Sequence, residues 1–174
     1  GSRKQEAEKH LPLFLKLTKN MKSVKFVVSK SKNLPDYLFQ EFTARGVPLI
    51  SSPLFDICEN CDLAIVASGT ATLECAISKT PFITIYKTSF LSWAITQSIV
   101  KLKFASIVNI LANKKIVPEL LQNDYTLKNV IQNLQLLSNT DHSKTMKKKF
   151  TTIINSLGDG SSYEKAAHYI ANIK

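Results

Sequence analysis

The chain has 174 residues, 44% of them hydrophobic, which suits one α/β domain or half of a two-lobed enzyme and excludes general disorder. Its 23 Lys and Arg against 13 Asp and Glu leave a net charge of +10, and only Arg3 and Arg45 are arginines. No window reaches the roughly 18 consecutive apolar residues of a membrane-spanning helix. Three cysteines do not make a disulfide scaffold, which favours a reducing compartment.

The positive charge is spread along the chain. Residues 1–87 carry 12 basic and 8 acidic groups (net +4), and residues 88–174 carry 11 and 5 (net +6). Lys147-Lys148-Lys149 is the one dense run. A nucleic-acid reader would show arginines for bidentate base contacts and aromatics among the cations for stacking. Neither is present. The expected partner is an anionic ligand or an anionic lipid surface, with no nucleic acid. The chain opens on Gly1-Ser2, read either as a cloning remnant or as the cut edge of a longer protein.

In chain order, residues 4–19 have a helical period, with Leu11, Phe14, Leu15 and Leu17 facing inward and Pro12 placed to split the helix. Residues 24–28 read as a strand. Pro35 suits a first helical position, so a helix is predicted from Asp36 to Ala44, followed by a brief strand over 47–50 and a short helix over 54–60. Residues 62–67 are almost wholly apolar, as in a strand buried on both faces of a parallel sheet. After a turn at Ser68-Gly69-Thr70, a helix runs over 71–78 and an apolar strand over 82–86. A helix over 89–103, a last strand over 105–108 and a short helix starting at 118–122 are expected next. Helices at 126–137, 142–156 and 162–173 complete the chain, broken at Gly158-Asp159-Gly160. Such alternation predicts a Rossmann-like parallel sheet with helices on both faces, in one domain.

Ligands of open α/β sheets bind beyond the carboxyl ends of the strands. Ser68-Gly69-Thr70-Ala71-Thr72-Leu73-Glu74 follows the most buried-looking strand and opens a helix. Unpaired N–H groups and the helix dipole favour an anion there, and Gly69 lets a phosphate approach the main chain. Glu74 lies about 6 Å further along the helix, roughly the step from a diphosphate to a ribose. The same residues also fit a plain N-cap followed by a solvated glutamate.

The segment Ala67-Ser68-Gly69-Thr70-Ala71-Thr72-Leu73-Glu74-Cys75 is followed by Thr80-Pro81, by Tyr86-Lys87, and by a long stretch from Val108-Asn109 through Val117-Pro118-Glu119-Leu120-Leu121-Gln122. In this order, together with Gly1-Ser2-Arg3, the chain resembles the lipid-A-disaccharide synthases. The resemblance implies the C-terminal lobe of a B-type glycosyltransferase fold. Residues 1–174 would be a single UDP-sugar-binding lobe, with 160–174 a terminal helix that packs on the absent N-terminal lobe.

It further implies a hexosyltransferase of lipid A biosynthesis, joining UDP-2,3-diacylglucosamine to lipid X with inversion and release of UDP. No cofactor and no metal are implied. The expected location is the bacterial cytoplasm, peripheral on the inner face of the inner membrane. Arg3 would contact the diphosphate, Ser68, Gly69 and Thr70 would cradle phosphate, and Glu74 would accept from the ribose. Asn109 would lie near the donor sugar or diphosphate. Lys87 stands where the family often has arginine and offers a point charge instead of a bidentate contact. The general base would lie in the other lobe, so no catalytic residue is assigned here. The alternatives are another UDP-sugar transferase or epimerase, or a non-catalytic basic binding module.

Other constellations read as structural. Cys58-x-x-Cys61 lacks a second pair and is taken as two half-buried thiols, and His10, His142 and His168 as surface residues. Residues 89–104 are read as a helix packed on the sheet or the other lobe, ahead of an interfacial membrane helix anchored by Phe90 and Trp93. The tri-lysine run falls on the outer face of a helix whose core stripe is Met146, Phe150, Ile153, Ile154 and Leu157.

Overall fold

The computed structural model describes residues 3–88, 103–158 and 161–172. The helix expected over 89–103 lies outside them except for Lys103, as does the Asp159-Gly160 part of the expected break.

Helix α1 (Lys4–Asn20) runs unbroken through Pro12. Glu8, the residue whose carbonyl Pro12 cannot bond, is exposed together with Pro12, so water can take the orphaned group. Strand β1 (Val28–Ser29) pairs in parallel with β2 (Leu49–Ile50), Val28 opposite Leu49. Both are shorter than expected, because β2 is confined between Pro48 and Pro53 and β1 extends only as far as it has a partner. Between them a 3-10 turn (Asp36–Phe39) leads into α2 (Gln40–Ala44), and α3 (Leu54–Glu59) follows β2.

The main sheet is parallel, in the order β3 (Ala64–Ala67), β4 (Phe82–Tyr86), β5 (Glu119–Leu121). Two sheets are therefore present among the described residues, one of two strands and one of three. The centre of the larger one is β4, not β3: Phe82, Ile83, Thr84 and Ile85 are fully buried, whereas β3 is half-buried along most of its length. Helix α4 (Ala71–Ile77) links β3 to β4.

Two elements differ in type from the sequence expectation. The predicted strand at 105–108 is the start of helix α5 (Ile107–Ala112), and the predicted helix at 118–122 is strand β5 with a 3-10 turn (Gln122–Asp124) after it. The β-branched pair Ile107-Val108 has strand propensity, but tertiary context overrides it. The place beside β4 is taken by Glu119–Leu121, and Thr84 N–H donates to the Pro118 carbonyl at 2.8 Å.

Helix α6 (Leu127–Ser138) starts under a Thr126 cap, whose hydroxyl accepts from Asn129 N–H. Helix α7 (Thr140–Ser156) starts under an Asn139 cap. The α7 stripe is buried at Met146, Phe150 and Ile153, half-buried at Ile154 and exposed at Leu157. Phe150 stacks on Phe82, ring centroids 5.5 Å apart, which seats α7 on the face of β4 that carries Phe82 and Thr84. Lys147 and Lys148 are exposed and Lys149 is half-buried. Helix α8 (Ser162–Ala171) follows, and the side chains from Tyr163 to Asn172 are exposed.

One apolar core surrounds β4, and a smaller one of Ala7, Leu11, Leu34, Phe39 and Phe42 lies under β1 and β2. Phe14 of α1 packs against both and joins them.

His10 is not a surface residue. It is 4% exposed, edge-on to Tyr125 at 5.2 Å, and neither ring nitrogen has a hydrogen-bond partner among the described residues. Burial holds its pKa down to about 4, helped by the nearby charges of Lys9 and Lys87. The folded chain therefore keeps His10 neutral where an unfolded chain, with an ordinary value of 6.5, takes up a proton. Stability from this site is complete above pH 6.5 and falls as the pH drops towards 4, by on the order of 3 kcal/mol. His10→Leu should flatten that loss in urea titrations run across this range. Parallel acid profiles for the variant and the natural sequence would contradict this.

Candidate functional site

The carboxyl ends of β3, β4 and β5 form a rim about 10 Å across, at roughly 4.8 Å per strand. Ser68-Gly69-Thr70 leaves β3, Lys87 leaves β4, and Gln122 leaves β5. The register places Ala67 beside Ile85 and Tyr86 beside Leu121, so these three exits are level.

The turn after β3 starts with Ser68 N–H bonded to the Ile85 carbonyl at 2.9 Å. Gly69 then takes φ +145°, a torsion that side chains disfavour. A Cβ built on Gly69 would meet nothing within 4 Å, so its need is angular and the space beside it is open. Thr70 stands at the N-cap position of α4, but no side chain caps the helix. Thr72 turns inward instead, its hydroxyl donating to the Gly69 carbonyl at 2.7 Å. Among the described residues no hydrogen bond uses the N–H groups of Gly69, Thr70 or Ala71. Glu74, one turn on from Thr70, accepts no hydrogen bond among the described residues and is half-buried.

Ser68 departs from its expected role. Its hydroxyl donates to the Ala105 carbonyl at 2.6 Å, so in this conformation the proton is committed to the protein. Asn109 departs further. It is fully buried, its Nδ2 donating to the Val117 carbonyl and to Glu119 Oε1, while its Oδ1 accepts from Ile116 and Val117 N–H. With both ends of the amide engaged, Asn109 positions the backbone around it.

Glu119, which the sequence reading did not single out, is the hub of this corner. Its carboxylate accepts from Ala105 N–H, from Ser106 N–H at 2.8 Å and from Asn109 Nδ2 at 2.8 Å. It thereby takes two backbone donors just ahead of α5, those of Ala105 and Ser106, as an external anion otherwise would. The signal for it in the sequence is a carboxylate inside the otherwise apolar run Val117-Pro118-Glu119-Leu120-Leu121. Gln122 also carries a mark of the rim, with φ +47° and an Oε1 that accepts from Thr88 N–H at 3.4 Å.

Lys87 is exposed at the end of β4 and makes no ion pair among the described residues. Arg3 is not drawn into the rim by any contact among the described residues. It stands before the first turn of α1, 82% exposed, paired with Glu6 at 3.1 Å. Two surface hollows of about 560 and 730 Å³ lie elsewhere, one beside β2 and Lys30, the other between the end of α3 and Lys147. Among the described residues no cluster of three or more His, Cys, Asp or Glu could hold a metal ion. None of their helices is long and apolar enough to cross a membrane.

The protein family described as lipid-A-disaccharide synthetase matches residues 1–173. The chain belongs to this family. A lipid-A-disaccharide synthase of Sulfurihydrogenibium sp. is 30% identical over 193 residues, covering 99% of this chain and 49% of that protein. The synthase of Syntrophus aciditrophicus is 34% identical, covering 96% of this chain and 46% of its own length. In Legionella pneumophila, lipid-A-disaccharide synthase 1 is 34% identical across 95% of this chain and 44% of the relative. The chain thus spans about half the length of the curated relatives it matches.

Glu119 tests whether the rim is one hydrogen-bonded unit. Glu119→Ala removes the acceptor of two backbone N–H groups and of a buried amide. A loss of about 2–4 kcal/mol is expected in urea unfolding, whereas Glu74→Ala should change stability by no more than about 0.5 kcal/mol. Equal midpoints for the two variants would mean that Glu119 is not the hub.

Proposed function

We propose that this chain is the nucleotide-binding half of a lipid-A-disaccharide synthase, a glycosyltransferase of lipid A biosynthesis. One observation carries the reading: among the described residues, three consecutive N–H groups, of Gly69, Thr70 and Ala71, are left without an acceptor at the carboxyl rim of a parallel sheet, with nothing within 4 Å of a Cβ built on Gly69. The contrast with α5 strengthens it, because there an internal carboxylate takes the donors of Ala105 and Ser106, the counterparts of Gly69 and Thr70.

In this reading the diphosphate of UDP-2,3-diacylglucosamine lies against the Gly69–Ala71 amides, with Thr70 adding its hydroxyl. Glu74 accepts from the ribose hydroxyls, about 6 Å away along α4. Lys87, one strand over, contributes a positive charge to the same rim. Arg3 would reach the diphosphate by giving up its pairing with Glu6, which is exposed and therefore weak.

Transfer to lipid X displaces UDP with inversion at the anomeric carbon. The negative charge that develops on the departing diphosphate meets fixed amides and a lysine, groups that need little reorganisation as the bond breaks. The base that takes the proton from the acceptor hydroxyl belongs to the other half of the family's protein. Residues 160–174 pack on that half, a role suited to α8 with its exposed Tyr163, Tyr169 and Ile170. The spread of lysines suits peripheral contact with the anionic inner face of the bacterial inner membrane.

By itself the chain should bind UDP weakly and transfer no sugar. Calorimetry should show binding at millimolar UDP, and Glu74→Ala should weaken it roughly 10- to 100-fold, the worth of a hydrogen bond to a charged group. No heat from the natural sequence would overturn the nucleotide reading, and unchanged affinity in Glu74→Ala would remove Glu74 from the site.

A further inference from the structure

The sequence spacing pairs Cys58 with Cys61, but the fold pairs Cys58 with Cys75. Helices α3 and α4 pack side by side, and Cys58 and Cys75 meet in the seam with their Sγ atoms 3.0 Å apart. They are 2% and 0% exposed, and all three cysteines are thiols. The sulfurs stand only about an ångström beyond a disulfide bond of roughly 2.05 Å. Cys61 is half-buried just past the end of α3, its N–H donating to the Cys58 carbonyl at 3.0 Å.

We propose that Cys58 and Cys75 form a redox-active dithiol, which a peroxide converts to a disulfide that bridges α3 and α4. The two thiols are inequivalent. The hydrogen bond the two sulfurs share holds the Cys58 thiol below its ordinary value, while the same bond and burial push Cys75 far up. Cys58 is therefore the attacking thiolate. Its sulfur bonds to one peroxide oxygen, the O–O bond breaks, and hydroxide leaves and is protonated to water. Cys75 then loses its proton and attacks the Cys58 sulfenic sulfur, and the S–O bond breaks to release a second water. Two thiols give up two electrons and two protons, and one hydrogen peroxide becomes two waters.

The loop so closed runs from Cys58 to Cys75 and contains β3 and the Ser68-Gly69-Thr70 turn. A crosslink over a loop of this length constrains the unfolded chain, which should raise the melting temperature by roughly 5–10 °C. None of this depends on nucleotide binding.

The sequence allows a clean test. Cleavage after Glu59 and Glu74 places Cys58, Cys61 and Cys75 on three different peptides. The native chain is treated with hydrogen peroxide, unfolded in an alkylating agent, and digested without reduction. The expected product joins the Cys58 and Cys75 peptides, two hydrogens lighter than their sum, with Cys61 alkylated. Dithiothreitol should remove both the link and the rise in melting temperature, and Cys58→Ser should form no link to Cys75. A Cys58–Cys61 link, or full alkylation of Cys58 and Cys75 after peroxide, overturns the proposal. So does oxidation of these two only to separate sulfinic acids.

Discussion

The Glu119 carboxylate receives N–H groups from Ala105 and Ser106 together with the Asn109 amide, and in doing so ties the third strand of the main sheet to the start of α5. Ala105 in turn accepts the Ser68 hydroxyl, which extends the same network to the turn after β3. The carboxylate is half-buried, and its place among these donors is stabilised because one oxygen alone takes three of them. The shape of the rim therefore follows from a requirement of electrostatics, not from the hydrophobic core beneath it.

That requirement also explains why the two helices that open near the rim behave differently. At α5 the chain supplies its own anion, which takes the N–H groups of Ala105 and Ser106 just ahead of the helix. At α4 no side chain caps the helix, and Gly69 keeps the approach clear. The core below holds both in place: β4 is fully buried from Phe82 to Ile85, and α7 is fastened to it through Phe150. Asn109, with its amide bonded on both sides, helps to fix the shape of this corner.

Much of the architecture was legible in the sequence. The apolar runs that became β3 and β4, the helix with the Met146, Phe150 and Ile153 stripe, and the turn at Ser68-Gly69-Thr70 all follow from periodicity and turn chemistry. The exchange of strand and helix around residues 105–122 was not legible, because Ile107-Val108 favour a strand locally and only the occupation of the edge of β4 by Glu119–Leu121 decides against them. His10 was hidden for a related reason. A helical stripe shows which face turns inward, but not that a second element, here Tyr125, will close over a polar ring. Asn109 was found by family pattern and its burial was not, since a motif says that a residue is needed without saying whether it faces in or out.

The exposed aromatic and aliphatic side chains of α8 have a bearing on how the chain behaves in a tube. Tyr163, Tyr169 and Ile170 offer adhesive surface to any second molecule, and the +10 charge opposes that encounter by mutual repulsion. The two effects respond differently to ionic strength: repulsion fades as the Debye length shrinks from about 8 Å at physiological salt to about 3 Å at 1 M, while apolar adhesion does not. The chain's colloidal stability is therefore electrostatic, and low-salt buffer is the medium in which it stays dispersed.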